Sequence, residues 1–208
     1  RELPYVDRGE SQRGIRDRPM RYIEEAMALQ EGQHMAGRAV TLRFVPHRPD
    51  LAADKPKGDQ SAEYVAIELC GPGEVLVIDA MGWQYSSVGG DIKFGRLRQL
   101  GAGGLVTDRA VRHSVALKEY GLPVYSAGTT AKQGPAEFWP WQVNDASQCG
   151  GVLVRPGDAV VGDDDGVVVV PRPLVDDVIE IAHQREEVEA VIKEQLQEER
   201  CSPGKYYP

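Results

Sequence analysis

Residues 73–126 read GEVLVIDAMGWQYSSVGGDIKFGRLRQLGAGGLVTDRAVRHSVALKEYGLPVYS, and this stretch decides the fold. It contains three short apolar segments typical of buried strands, at residues 73–79, 104–108 and 124–126. Two segments with helical character separate them, at residues 89–100 and 111–120. Because strands that alternate with helices are typical of parallel crossover units, the stretch predicts an α/β fold.

The flanking segments extend this pattern. Upstream, the spacing of apolar residues predicts a helix over residues 20–30, a half-buried strand over 37–45 and a short helix over 61–69. After Gly150, valine-rich segments separated by Pro-Gly-Asp and Asp-Asp-Asp-Gly turns predict a compact β meander. Residues 171–200 carry apolar side chains at three- and four-residue steps, which predicts a long amphipathic helix.

The same pattern predicts the domain organisation. The polar, Arg-rich residues 1–20 are expected to form a loosely held arm, and residues 201–208 an irregular tail. Between them, residues 21–200 are long enough for a single domain. The aromatic cluster Phe138-Trp-Pro-Trp141 is expected to pack in a loop or at a subunit contact, with a ligand wall as the alternative.

Composition excludes several classes of protein. The 208 residues carry 24 Lys and Arg against 32 Asp and Glu, a net charge of −8, so a nucleic-acid backbone binder with a basic face is not expected. No apolar run reaches the roughly 18 residues that a membrane span needs. The three cysteines, Cys70, Cys149 and Cys201, are too widely spaced for a zinc-type pair, so we expect a reduced, cytoplasmic protein.

The region of residues 79–112 is the densest in glycine and polar residues. Gly89 and Gly90 precede a predicted helix, whose free N–H groups could hold a carboxylate or a phosphate; a simple tight turn is the alternative. Twenty residues separate Asp91 from Arg112, and the loops after parallel strands gather at one edge of a sheet. The Gly90 turn and Arg112 could therefore face each other across a pocket, where Arg112 would grip a carboxylate.

Three further side chains near this turn suit a divalent metal. Asp91, Asp108 and His113 could support one directly or through water. Each also has a structural alternative: the two acids as helix caps, His113 as a solvated residue, and Arg112 as half of a surface ion pair.

Residues 101–113, GAGGLVTDRAVRH, resemble the family that contains the regulator of ribonuclease activity A and the 4-hydroxy-4-methyl-2-oxoglutarate aldolases. The family pattern there is close to Gly-Ala-x-Gly-Val-Val-x-Asp-Gly-x-x-Arg-Asp. Other fitting segments bring the resemblance to about residues 35–195: 37–43, 72–79, 89–92, 149–152 and 156–171. The resemblance implies a layered α/β/β/α sandwich with a central mixed sheet and a long C-terminal helix, assembled as a homotrimer or a hexamer with sites between subunits.

The resemblance also implies a site and an activity. In the aldolase branch, the Gly-acid turn and the arginine hold pyruvate, while the residue after the arginine binds a divalent cation. Residue by residue, this assigns substrate binding to Gly90, Asp91, Ile92, Lys93 and Arg112, with catalytic roles for Asp91 and Arg112, and the metal position to His113. The implied activity is a divalent-metal-dependent carbon–carbon lyase or decarboxylase that acts on a small 2-oxo acid and forms pyruvate through an enolate.

Three departures from the family pattern bear on these roles. The expected cation is Mg²⁺ or Mn²⁺. His113 replaces the usual Asp, and an imidazole is a better ligand for Mn²⁺ than for Mg²⁺, so the identity of the ion is open. Arg109 replaces a Gly and could pair with Asp108 or recognise a second acidic group, and Lys93 replaces an apolar residue and could contact a second carboxylate. The base is unassigned; a metal-bound hydroxide or a glutamate of a neighbouring subunit's C-terminal helix would serve.

Two other functions stay open on the sequence. The net charge of −8 is compatible with docking to a basic protein segment, as in the family branch that binds and regulates a ribonuclease without catalysis. Alternatively, Lys93 and Arg109 could select a 2-oxo acid derived from a sugar acid for cleavage or dehydration.

Overall fold

The structure, a computed structural model, describes residues 22–23, 25–82, 86–199 and 202–206. The predicted arm over residues 1–20 lies outside the described residues. The chain divides into two compact units, a body over Met20–Arg172 and a second unit that contains the C-terminal helix. The division falls inside the segment 21–200 that the sequence predicts as one domain, and that domain assignment stays a prediction.

The helices and strands of the described residues are numbered here in chain order. The strands are β1 (Tyr22–Ile23), β2 (Met27–Ala28), β3 (Met35–Pro46), β4 (Glu74–Asp79), β5 (Gly104–Thr107), β6 (Ala110–Val111), β7 (Val124–Ser126), β8 (Gly128–Thr129), β9 (Phe138–Val143), β10 (Ser147–Cys149), β11 (Val152–Val154), β12 (Ala159–Asp163) and β13 (Gly166–Val170). The α-helices are α1 (Ala62–Glu68), α2 (Asp91–Leu100), α3 (Ser114–Tyr120) and α4 (Val175–Glu199).

A mixed sheet forms the centre of the body. Its strands lie in the order β1-β13-β12-β3-β4-β5-β7-β2, and β9 pairs with the far end of β3. The neighbours β3, β4, β5 and β7 are parallel, while the other pairs of this sheet are antiparallel. The predicted mixed α/β fold with a central mixed sheet and a long C-terminal helix is therefore confirmed. The parallel strands also place their carboxyl ends, and the loops that follow, at one edge.

The alternation of side chains along β4 shows how the sheet separates two cores. Leu76 and Ile78 face one hydrophobic cluster, which includes helix residues such as Phe94 and Leu97. Val75 and Val77 face the other cluster, which is built with the β10–β11 hairpin and strands β12 and β13. Since both faces of β4 are covered, its four central residues, 75–78, are all apolar, as predicted.

The helix predicted over residues 20–30 is wrong, and the structure has strands β1 and β2 there instead. Tyr22 pairs with Val168 and Met27 pairs with Ser126, so β1 and β2 add to opposite ends of the sheet. Between them, Glu25 has a positive φ of 66°, which no α-helix accommodates. Pairing with neighbouring strands thus overrides the helical spacing of this segment.

The loop expected over the aromatic cluster at residues 138–141 is also wrong. Phe138–Val143 forms β9, and Phe44 packs edge-on against Phe138 with ring centroids 5.1 Å apart. Pro140 is accommodated because β9 lies off the main order of the sheet and pairs with β3 next to a register shift between Arg43 and Phe44.

The helices beside the site are confirmed close to their predicted bounds. Helix α2 ends at Gly101, whose φ of 76° is the left-handed conformation that closes a helix and favours glycine. Helix α3 ends in the same way at Gly121. In the part of the chain that the structure describes, no helix combines the length and apolarity that crossing a membrane requires.

Candidate functional site

The structure brings the Gly89–Gly90 turn and the Arg112–His113 turn into direct contact. The backbone N–H of Arg112 donates to the Gly89 carbonyl oxygen at 3.0 Å, and Val88 N–H donates to the Ala110 carbonyl at 3.1 Å. The two turns follow β4 and β5, neighbouring parallel strands of the central sheet. Their proximity therefore follows from the shared edge on which the sequence interpretation relied.

Gly90 is required here by close approach rather than by its backbone angles. It caps α2 with φ −152°, an extended conformation open to any residue. A Cβ at this position would lie 2.8 Å from His113 Nδ1 and 2.9 Å from Arg112 Cγ. Only a hydrogen fits between the turn and these two side chains.

Asp91 and His113 form a hydrogen-bonded pair at the start of α2. His113 Nδ1 lies 2.6 Å from Asp91 Oδ1, which also accepts the backbone N–H of Ile92 at 2.8 Å. The hydrogen bond from His113, and then that from the Ile92 N–H, lower the pKa of Asp91 below its usual range. Asp91 is thus an ionised acceptor, and Nδ1 of His113 carries the proton between them.

Arg112 lines a small cavity, here called the inner cavity. Its volume is about 50 Å³, and its walls include Glu63, Ser87, Gly89, Lys93, Arg112 and Phe138. Arg112 Nε and Ser87 Oγ are buried, and neither has a hydrogen-bond partner among the described residues. A buried donor without an acceptor costs about 1–3 kcal/mol, so this cavity suits a small ligand that brings carboxylate or keto oxygens.

Lys93, which also lines the inner cavity, is engaged in an ion pair. Its Nζ donates to Glu63 Oε2 at 2.5 Å, and the two side chains are only 21% and 16% exposed. Glu63 of α1 thus occupies the Lys93 ammonium within this chain, and the contact of Lys93 with a second carboxylate of a substrate stays a prediction. Sequence reasoning did not single out Glu63, because nothing in a pattern of spacing pairs residues 63 and 93.

Ile92 lies at the surface, and its predicted role in substrate binding stays a prediction. Its side chain is 87% exposed, and its N–H is already used by the Asp91 carboxylate. Among the turn residues, the structure therefore places Gly89 and Lys93 at the inner cavity with Arg112, and Ile92 at the surface.

Asp108 lies in a separate network rather than with Asp91 and His113. Its carboxylate accepts hydrogen bonds from Ala80 N–H at 3.2 Å and from Gln148 Nε2 at 3.2 Å. Gln148 Nε2 also donates to Asp79 Oδ1 at 2.5 Å, so one amide ties together the acids after β4 and β5. The sequence interpretation singled out both acids as strand ends but missed Gln148, which comes from β10.

Arg109 is fully buried, and the expected ion pair with Asp108 is not formed. Its Nε donates to the Ala80 carbonyl at 2.6 Å, while both terminal nitrogens have no hydrogen-bond partner among the residues the structure describes. Burial lowers the pKa of Arg109 to about 10, although the nearby charges of Asp108, Asp79 and Glu137 act in the opposite direction.

A second, open depression lies on the outer side of Arg112. This outer cleft has a volume of about 750 Å³, and its walls include Arg112, His113, Val115, Glu119, Thr129 and Gln133. Arg112 is the residue shared by the inner cavity and the outer cleft. A ligand held at Arg112 could therefore have one end in the cavity and the other in the cleft.

The donors in this chain do not suit the divalent cation that the resemblance implies at His113. Among the described ranges, no group of three or more His, Cys, Asp and Glu side chains is placed to hold a metal ion. Asp91 and His113 are two donors, and they hydrogen-bond to each other next to the positive charge of Arg112. The Mg²⁺ or Mn²⁺ ion stays a prediction from the resemblance, and no step of the proposed mechanism depends on it.

Comparisons with known proteins agree on the family. A model of the RraA-like family, described as Aldolase/RraA, matches residues 10–169. A Halalkalibacterium halodurans protein that carries the name "Putative 4-hydroxy-4-methyl-2-oxoglutarate aldolase" is 36% identical over 138 residues. That match covers 66% of this chain and 65% of the relative, so the chain spans slightly less than two thirds of the relative's length.

Solved structures show the same fold. Streptomyces coelicolor RraAS2, described as an unusual member of the RNase ES inhibitor RraA protein family, has a TM-score of 0.79 and 31% identity, and the match covers 88% of each chain. An uncharacterized protein from Pseudomonas syringae pv. tomato has a TM-score of 0.80 over 95% of this chain and 85% of that one; at 21% identity it supports the fold alone. Because the family model covers well over half of the 208 residues, the chain belongs to the RraA-like family.

Proposed function

We propose that this chain is a carbon–carbon lyase that cleaves a small 2-oxo acid to release pyruvate. The observation that carries the proposal is that Gly89, from the glycine turn, and Arg112 border one small cavity. Arg112 and Ser87 both line this cavity, and their Nε and Oγ atoms are buried without a hydrogen-bond partner among the described residues. The substrate's carboxylate and 2-oxo oxygens would supply the missing acceptors.

The chemistry follows from where charge develops. In retro-aldol cleavage, the C3–C4 bond of a 4-hydroxy-2-oxo acid breaks and its electron pair passes into the C2–C3 enolate of pyruvate. The 4-hydroxyl loses its proton and becomes the carbonyl of the second product. Arg112, adjacent to the developing enolate oxygen, would stabilise it by a charge-assisted hydrogen bond. The same enolate forms when oxaloacetate loses CO₂, so both reactions fit the site.

The named relative supplies a first substrate to test. We propose 4-hydroxy-4-methyl-2-oxoglutarate, after the Halalkalibacterium halodurans protein's name, together with oxaloacetate. Pyruvate release is measured with no added metal, with Mg²⁺, with Mn²⁺ and with a chelator, because the divalent cation is still a prediction.

Arg112→Lys tests the guanidinium directly. Lysine keeps the charge but loses the planar fork, so we expect kcat/KM to fall by about 10–100-fold, the equivalent of one charge-assisted hydrogen bond. Arg96→Lys is the matched control, because Arg96 pairs with Glu68 on an exposed surface. Absence of pyruvate from either substrate under all four metal conditions would refute the lyase proposal.

Regulation of a ribonuclease is the second candidate function. Two observations favour it: the 31% identity with RraAS2 over 88% of this chain, and the net charge of −8, which suits a basic protein segment. Inhibition of RNA cleavage by an RNase ES-type enzyme, measured as this protein is titrated in, separates the two functions. Saturable, salt-sensitive inhibition without any pyruvate release would favour the regulatory role.

We also propose that the protein assembles as a homotrimer or a hexamer. Ile92 and Val115 open α2 and α3 next to Asp91 and His113, and their side chains are 87% and 72% exposed. Two such apolar residues beside a polar site are suited to burial against another subunit. Light scattering coupled to size-exclusion chromatography measures the mass, and Ile92→Glu should lower it if the contact is made here.

A further inference from the structure

The Asp91–His113 pair resembles the orienting half of an acid–base dyad. A single hydrogen bond of 2.6 Å fixes Nδ1 of the imidazole against Asp91 Oδ1. Asp91 is in turn held by the N–H of Ile92 at 2.8 Å. When a carboxylate accepts a hydrogen bond from the Nδ1–H of a neutral imidazole, that proton stays on Nδ1 and the lone pair is on Nε2. Nε2 is then able to take a proton from a substrate.

The backbone also holds the ring in place. His113 has φ 59° and ψ 41°, a left-handed conformation that is uncommon for residues other than Gly, although His, Asn and Asp adopt it more often than most. The missing side chain of Gly90 leaves the room in which the His113 ring and Arg112 pass over the turn. A residue in this conformation whose ring is also fixed by a carboxylate suits an active-site position.

His113 also lies where a base is needed. Its side chain is 48% exposed and borders the outer cleft, beside Arg112, which reaches the inner cavity as well. With the 2-oxo carboxylate end at Arg112, the carbon chain that carries the 4-hydroxyl would extend toward the cleft. The other titratable side chain of this cleft is Glu119, on α3.

We infer that His113 is the general base of the lyase reaction and that Asp91 is its positioning residue; this rests on the proposed function. His113 Nε2 takes the proton of the substrate's 4-hydroxyl as the C3–C4 bond breaks. The electron pair of that bond enters the pyruvate enolate, and the imidazolium then returns the proton to C3. The step as written needs no oxidant, no reductant and no cation.

The two reactions of the site make this inference testable. Retro-aldol cleavage requires removal of a hydroxyl proton, whereas decarboxylation of oxaloacetate has no such proton to remove, and its enolate takes the proton at C3 from water. A general base contributes about 10²–10⁴-fold, so loss of the imidazole should slow only the first reaction by that factor. A merely structural role for His113 would slow both reactions together.

The test uses variants that suit the left-handed backbone at residue 113. His113→Asn and His113→Gly should lower kcat for retro-aldol cleavage by about 10²–10⁴-fold, with decarboxylation changed less than about 3-fold. Exogenous imidazole should restore cleavage in His113→Gly. Asp91→Asn should also slow cleavage selectively, because an amide can donate to Nδ1 and place the proton on Nε2. His34→Asn, at an exposed histidine outside the site, is the matched control.

The outcomes separate the two proposals. Equal losses in both reactions, or full cleavage activity without the imidazole, overturn the base and leave the lyase standing. Binding of Mn²⁺ by the wild-type chain that is abolished in His113→Asn, measured by electron paramagnetic resonance, makes His113 a ligand and also overturns the base. A wild-type protein inactive on both substrates overturns the lyase, and the base with it.

Discussion

Substitution of Gly90 by alanine tests the geometry on which the site depends. The added Cβ would lie 2.8 Å from His113 Nδ1 and 2.9 Å from Arg112 Cγ. Ordinary contacts between heavy atoms are about 3.5–4.0 Å, so both side chains must move by about 0.6–1.2 Å. The backbone itself tolerates alanine, because φ at residue 90 is −152°.

The expected result is a damaged site in a folded protein. Because the neighbours are side-chain atoms that can yield, we expect the free energy of unfolding to fall by at most about 1 kcal/mol, below the 1–3 kcal/mol typical of overpacked cores. A displacement of about 1 Å at a catalytic group costs on the order of 100-fold, so kcat/KM for pyruvate release should fall by about 10–100-fold.

The assay pairs urea unfolding with pyruvate release for the wild type, Gly90→Ala and a control. Gly71→Ala is that control, because the nearest atom to its added Cβ would be Glu74 Oε2 at 3.4 Å, an ordinary contact. Wild-type activity in Gly90→Ala would refute the close approach of the two turns. A loss of stability above about 3 kcal/mol would show that the turn supports the fold rather than the site.

The other predictions concern stability and its dependence on pH. Lys93→Met should destabilise the protein by about 1–2 kcal/mol because it leaves the Glu63 carboxylate without its partner. The double variant Lys93→Met/Glu63→Leu should be close to wild type in stability. A double-mutant cycle measured by urea unfolding checks this, and additive losses would contradict it. Because the pKa of Asp91 is lowered in the folded state, its contribution to stability should be present above its unfolded pKa of about 3.8 and disappear as the pH falls through the folded value. Unfolding curves of the wild type and Asp91→Asn from pH 2 to 6 should converge only at the acid end, and a constant difference would exclude this linkage. Arg109→Met removes a buried charge whose two terminal nitrogens have no hydrogen-bond partner among the described residues, so Tm should stay level or rise. A fall in Tm of more than about 5 °C would indicate that Arg109 has a stabilising hydrogen-bond or ion-pair partner.

The sequence was sufficient where local signals and tertiary structure agree. Residues 75–78 of β4 and 105–106 of β5 are all apolar because both faces of these strands are buried, and Gly101 and Gly121 mark the ends of α2 and α3. The contact between the Gly90 turn and Arg112 was also predictable, because neighbouring parallel strands end at the same edge of the sheet.

The sequence-based predictions failed where the structure of a segment depends on residues far away in the sequence. Residues 22–28 have helical spacing, yet β1 and β2 pair with β13 and β7, which are distant in sequence. The Lys93–Glu63 pair and the Asp91–His113 pair depend on side-chain direction across neighbouring elements, and spacing along a chain carries no such information.

The place of β1 and β2 has a consequence for handling the protein. These two-residue strands cover β13 at one border of the sheet and β7 at the other, yet only three positions of the chain lie between them. A single proteolytic cut after residue 28 would thus strip both borders at once. The uncovered strands would present free amides and carbonyls to other molecules, so trimmed preparations should aggregate through intermolecular β pairing, whereas intact chains should keep a defined oligomer mass.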